Sequence, residues 1–304
     1  MKRKIGVTVM AAVLVAVGAQ ADTVVFGSGG NQFSMDFVDI GNTGVGGDTA
    51  NTVNGVNPGA VNYNYQMGTY EVTIDQFAKA NLSAAGTLGD GDKNPWFIGV
   101  NGAASAVSWL EAAKFANYLT SATYNGGAYQ FDGGGTLTGV DRDAAVSTYG
   151  TVYVLPTEDE WYKAAYLKSD GSAYTLYATG DSVPGVETDA NYGGLSGTYS
   201  SPWDVGSGIA ENNGTFDMNG NVREWNESAF NGTLDNMAAS RVLRGGAFID
   251  SENNLRSSGR NAGLLASGLG HFGFRVAAIP EPSSIAMVGV VSGLGLFIRR
   301  RLML

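Results

Sequence analysis

Cysteine is absent from the 304 residues. Its absence excludes disulfides, a thiol nucleophile and any thiolate metal site. Histidine occurs once, at His271, so no site with several imidazoles can form within one chain. Charge is also scarce, with Asp, Glu, Lys and Arg making up only 15% of the chain. No long helical period runs through the sequence, while glycine occurs 45 times. That balance argues against a helical bundle and predicts a loop-rich fold of short strands and helices. Apolar residues at 44% still supply a core, and the length suits one large domain or two small ones.

The two ends differ from the rest. Lys2, Arg3 and Lys4 precede an apolar stretch from Ile5 to Gly18, and Ala19-Gln20-Ala21 matches a small-x-small cleavage pattern. Residues 1–21 therefore read as a signal peptide, with the mature chain starting near Asp22. At the other end, Pro280-Glu281-Pro282 leads into an apolar run, Ile285 to Ile298, closed by Arg299, Arg300 and Arg301. The run is somewhat short against the ~20 residues of a full membrane span. The arginines would stay in the cytoplasm, with the domain outside. Setting aside the terminal basic residues and Glu281 leaves 12 basic and 27 acidic residues over 22–280, a net charge of −15. So acidic a surface disfavours nucleic acid and suits divalent cations or neutral and cationic partners. Plain solubility explains the acidity equally well.

Three segments share a helix-starting device. Thr73-Ile-Asp-Gln76, Ser108-Trp-Leu-Glu111 and Thr157-Glu-Asp-Glu160 are capping boxes, each followed by apolar residues at helical spacing. They predict helices at about 74–81, 109–120 and 158–167. Phe33, Met35 and Phe37 alternate with Ser34 and Asp36, a strand pattern. Further strands are expected at 152–154, 241–248, 254–258 and 273–278. Ser121–Gly150 reads as a glycine-rich hairpin or loops.

The stretch Asp217-Met-Asn-Gly-Asn-Val-Arg-Glu-Trp225 stands out in a Gly/Asn-rich region. It carries two carboxylates, a glycine between asparagines and a terminal tryptophan, and suggests a loop wound around an ion. Asp90-Gly-Asp-Lys-Asn94 opens like an EF-hand loop, but Pro95 and Asn101 stand where that loop needs Gly and Glu, so a turn is the better reading. The glycines after Asp132 lack the Lys-Ser/Thr of a phosphate-binding loop. His271, alone beside a Gly-Phe-Arg strand, reads as structural. Arg244, Arg256, Arg260 and Arg275 read as ion-pair formers, and Trp109, Trp161 and Trp225 as core.

Seven blocks in order give a family resemblance. They are Met67–Thr73, Val107-Ser-Trp109, Leu155–Trp161, Asp217–Trp225, Arg241–Gly246, Leu255-Arg256 with Arg260, and Gly273–Val276. Together they resemble the formylglycine-generating enzyme (sulfatase-modifying factor) family. The resemblance implies an α+β, C-type-lectin-like fold over 22–279, loop-rich, with about three short helices. It also implies two copper-binding cysteines, one where this chain has Asp250 and one about five residues later. Both are missing, so the copper-thiolate oxidation cannot run. The iron-dependent branch needs three histidines and is excluded as well. Neither copper nor iron is expected. Calcium is, on the family's ligand positions. One site maps to Asp217 and Glu224 with the carbonyls of Gly220 and Val222, oxygen donors that suit Ca²⁺. A second maps to Asn191 and the Tyr192 carbonyl, with Gly197 and Tyr199 further on. The ends, for their part, resemble the PEP-CTERM arrangement of Gram-negative bacteria, with residues 280–304 as a sorting tail holding a short transmembrane helix. That resemblance implies an exosortase as processing partner. It implies passage through an inner-membrane-anchored intermediate to the cell surface or exopolysaccharide matrix.

The functional expectation is a noncatalytic, calcium-stabilised exported domain that binds a surface or matrix protein or glycan through the loops at 121–150 and 250–270. A rival is an enzyme of altered, cysteine-independent chemistry near Asp250, Ser257 and Arg260. A purely structural matrix component is a third reading.

Overall fold

A computed structural model of the chain describes residues 22–84, 88–89, 99–194, 201–231 and 237–281. The signal segment, the tail beyond Glu281, the Asp90–Asn94 turn, Gly197 and Tyr199 lie outside the described residues. In chain order the strands and helices are β1 (Asp22–Phe26), β2 (Phe33–Ile40), β3 (Tyr65–Gly68), α1 (Ile74–Ser83), α2 (Trp109–Ser121), β4 (Tyr129–Phe131), β5 (Leu137–Val140), α3 (Arg142–Tyr149), β6 (Val152–Val154) and α4 (Glu158–Tyr166). After a long irregular stretch come β7 (Arg223–Ala229), β8 (Arg241–Arg244), α5 (Glu252–Leu255), β9 (Asn261–Gly263), β10 (Phe272–Gly273) and β11 (Ala277–Ile279). The fold is α+β and loop-rich, as expected.

The three boxed helices form where their caps predict. In each, the Thr or Ser hydroxyl accepts from the third helical N–H and the Gln or Glu side chain accepts from the cap N–H. Each cap contributes about 1 kcal/mol. Two further helices carry no such box. Helix α3 starts at Asp141, whose carboxylate accepts from Ala144 N at 2.9 Å without a reciprocal partner. Helix α5 has no side-chain cap. The insertion at 121–150 is thus a hairpin, β4–β5, followed by a helix.

One sheet runs β1-β2-β3-β11-β6 with all neighbours antiparallel. The other runs β10-β7-β8-β9, with β10 parallel to β7. Three expected strands come out differently. The strand expected over 241–248 stops at Arg244, because Gly245 and Gly246 take φ of +89° and +76°. At Gly245 a Cβ would lie 2.9 Å from the Met218 carbonyl, so only glycine lets the chain turn there. The strand expected at 254–258 is replaced by α5 and a turn. The last expected strand is split, since β10 belongs to one sheet and β11 to the other. Phe274, Arg275 and Val276 cross between them.

That crossover is sewn into the core. Phe77 of α1 stacks on Phe115 of α2 at 5.7 Å, and both meet the edge of Phe274, at 6.4 and 5.3 Å. Trp109, Trp161 and Trp225 are fully buried, and each indole N–H is satisfied. They donate to Asn226 O at 2.9 Å, Glu224 Oε2 at 2.8 Å and Val107 O at 2.8 Å. Burial with a partner for the one polar atom makes each an anchor rather than a liability.

Candidate functional site

The stretch from Asp217 is wound tightly. Asp217, Gly220 and Asn221 all have positive φ, at 61°, 86° and 53°. A Cβ at Gly220 would sit 2.2 Å from the Asn191 carbonyl, so glycine is required by contact as well as by φ. Asn191 bridges Gly220, and its carbonyl accepts from Asn221 N at 2.8 Å. The residues expected in two separate calcium sites therefore lie side by side. Asn191 is fully buried. Its Nδ2 donates to Ser201 O at 3.1 Å and Asn221 Oδ1 at 3.2 Å, while its Oδ1 has no hydrogen-bond partner among the described residues. Tyr192 donates its hydroxyl to Pro184 O at 2.5 Å.

Charge concentrates under this loop. Glu224 is fully buried and clasped by Arg275, with Nε to Oε2 and Nη2 to Oε1 both at 2.7 Å. Trp161 Nε1 adds a second donor to Oε2. Arg275 spends its other N–H groups on the carbonyls of Gly68, Thr69 and Phe216. Three more carboxylates surround the pair. Glu71 accepts from Val222 N at 3.0 Å and from Asn221 Nδ2. Glu211 accepts from Thr215 Oγ1 at 2.9 Å. Asp217 accepts from Gly206 N at 2.5 Å.

Four buried carboxylates thus face one guanidinium, and the imbalance shows in the proton affinity of Glu71, Asp217 and Glu211. Burial first, then the charges of Asp217 and Glu224, hold the Glu71 carboxyl well above its usual range. Burial lifts Asp217 in the same direction. Burial also pushes Glu211 up to about 8, against the pull of Arg275. Negative charge here must be met by protons or by a cation.

The donor set fits a hard cation in part. Asp217, the main-chain oxygens of the loop and the unpartnered Asn191 Oδ1 are the oxygen types Ca²⁺ takes. Glu224, expected as a ligand, is largely committed to Arg275 and Trp161. Among the described residues, no three Asp, Glu or His side chains converge to cage a metal unaided. A cation here would depend on carbonyl and amide oxygens. Glu71 and Glu211 escaped sequence reasoning because they reach the loop only through the fold. Glu71 does lie within a family block, between Met67 and Thr73.

Asp250, where the resemblance implies the first cysteine, is engaged in an ion pair. Asp250 forms a bidentate pair with Arg223, at 2.7 and 2.5 Å, and accepts from Ala247 N at 2.8 Å. Of the five following residues, Ser251 precedes α5 and the other four form it, with Leu255 fully buried. Ser257 Oγ accepts from Asn51 Nδ2 at 3.2 Å, and Arg260 pairs with Glu158 at 2.7 Å. Glu158 also holds Arg244, at 2.5 and 2.9 Å, so three of the four singled-out arginines form buried or half-buried ion pairs. The fourth, Arg256, donates to the Tyr177 hydroxyl at 3.1 Å. His271 lies against Phe272; burial, then Arg223, depress its pKa, so its imidazole stays neutral near pH 7.

The sulfatase-modifying factor enzyme 1-like domain matches this chain over residues 29–279. Three solved structures share its fold. Treponema denticola variable protein 1 is 20% identical with a TM-score of 0.62, covering 85% of this chain and 99% of its own. CarF is 23% identical with a TM-score of 0.59, covering 80% and 97%. PvdO from Pseudomonas aeruginosa is 20% identical with a TM-score of 0.53, covering 84% and 97%. No curated protein matches the sequence.

Proposed function

Because the chain belongs to the family of sulfatase-modifying factor enzyme 1-like domains yet holds no cysteine, we propose that it is a noncatalytic binding domain on that scaffold. The observation that carries this reading is the former thiol position. Asp250 is locked to Arg223, and Leu255 is packed into the core. Neither group is free to act on a substrate, since both Asp250 oxygens are already held by Arg223 and Ala247 N. The ligand in this reading is a protein or glycan, met by loops on a rigid core.

Calcium is the proposed structural ion, held near Asp217, Asn191 and the carbonyls of Gly220, Val222 and Tyr192. The surplus of buried carboxylates and the orphaned Asn191 oxygen support it. Export follows from residues 1–21, and retention from the Pro-Glu-Pro tail. An exosortase would process the tail and pass the domain to the cell surface or exopolysaccharide matrix. The test is a glycan array and a pull-down with the full chain, with and without calcium. Selective, saturable binding is expected. Substrate turnover that survives Arg223→Gln but is lost in Asp250→Asn would instead reveal chemistry at that position and overturn the noncatalytic reading.

A further inference from the structure

A cavity of about 600 Å³ opens beside α3 and the end of β11, and Asp250 is not part of its lining. Its lining includes Tyr63, Val146 and Pro280, the half-buried Arg142, and the exposed Asp143 and Glu281. The volume falls in the ~300–1,000 Å³ range of small-molecule sites. We propose that this groove binds a short neutral or cationic saccharide. The inference rests on the binding-domain reading and names its ligand class.

Four observations carry it. Tyr63 is 41% exposed, yet its hydroxyl is tied to Glu160, so the ring is a fixed aromatic platform. Such a face suits the C–H side of a sugar ring, and its immobility costs no ordering on binding. Arg142 gives Nε to Glu227 at 3.1 Å, Nη1 to Glu160 at 2.8 Å and Nη2 to the Leu155 carbonyl at 2.7 Å. A guanidinium has five N–H groups, so donors remain for sugar hydroxyls. Its charge is already met by two buried carboxylates. Exposed Asp143 and Glu281 then leave the mouth net negative, which repels carboxylate or sulfate sugars and attracts an ammonium. Finally, Asn64 and Ser147 add an amide and a hydroxyl to a lining that also holds Val146, Ile279 and Pro280, so apolar and hydrogen-bonding groups are both at hand for a polyol.

The test is calorimetric titration of the full chain with a glucosamine disaccharide, an N-acetylglucosamine disaccharide, glucuronic acid and a lysine tetrapeptide. Both amino-sugar probes should bind, and glucuronic acid roughly tenfold more weakly or not at all. Asp143→Asn with Glu281→Gln should weaken the cationic disaccharide several-fold and leave the neutral one unchanged. Tyr63→Leu should weaken both by roughly tenfold, the worth of a lost aromatic contact. Should Tyr63→Leu fail to fold, Ser147→Trp on the exposed face of α3 blocks the groove without touching the core. Absence of sugar binding, tighter binding of the tetrapeptide, or indifference to Ser147→Trp overturns the inference. Array binding that survives Ser147→Trp would sink the groove alone and leave the binding-domain reading standing. No binding to any surface glycan or protein would sink both.

Discussion

Replacing Glu211 by Gln should stabilise the domain, and increasingly so as pH rises. Glu211 is buried beside a cluster that already carries more carboxylates than one arginine can neutralise. Burial raises its pKa from 4.5 to about 8 in the folded chain. Between those values the unfolded chain releases a proton that the folded chain keeps. A carboxyl shifted upward contributes stability that is fully present below the unfolded pKa and is lost as pH rises through the folded one. The folded state therefore weakens by about 1.4 kcal/mol for each pH unit in this window. Over the whole shift the loss approaches about 5 kcal/mol, a large share of a typical domain's stability. Glutamine keeps the shape and a hydrogen bond to Thr215 and has nothing to ionise. Urea unfolding of both proteins at pH 5.5 and 7.5, in chelator, should show the stability gap widening by about 3 kcal/mol in favour of Glu211→Gln. A gap that stays constant across that range would refute the reasoning, because it would mean Glu211 titrates alike in both states.

Three further outcomes are expected. Millimolar Ca²⁺ should raise the melting temperature, by the equivalent of about 2.7 kcal/mol at a hundredfold excess over Kd. Asn191→Ala or Asp217→Asn should remove that response, and no shift in the parent chain would dismiss the ion. Glu158→Gln should cost about 3–5 kcal/mol in urea unfolding, since it strands Arg244 and Arg260 together; a loss below about 1 kcal/mol would show that the arginines find other partners. Gly263→Ala should cost about 1–3 kcal/mol, because its Cβ would fall 2.2 Å from the ring of Trp225, which reaches across from β7 two strands away; an unchanged midpoint would mean β9 can move aside.

Local signals were the legible ones. The three capping boxes placed their helices within a residue or two, since each box satisfies its own N–H groups whatever surrounds it. The alternation of Phe33, Met35 and Phe37 marked β2, although Val38 and Ile40 proved buried too. The family blocks carried the fold. What escaped depends on distant partners. Gly273–Val276 reads as unbroken strand, and nothing in its composition announces that the chain changes sheets there. The charge cluster joins Glu71, Glu211, Glu224 and Arg275 across some two hundred residues, a pairing no spacing rule contains. Helix α3 was hidden because a lone Asp141 caps it, and Asx residues begin turns as readily as helices.

The crossover at Arg275 bears on how such a chain is made. Strand β11 lies inside the five-stranded sheet, hydrogen-bonded to β3 on one side and β6 on the other. The hairpin meander β1-β2-β3 can assemble early, but its free edge and that of β6 wait for residues 277–279, near the end of the domain. A nascent chain that has not yet delivered those residues holds an open gap in its main sheet and lacks the arginine that balances Glu224. Closing the gap joins segments separated by more than two hundred residues, which makes folding late and slow. Translation order thus keeps the main sheet unclosed until β11 emerges, so the two halves of the domain cannot settle independently.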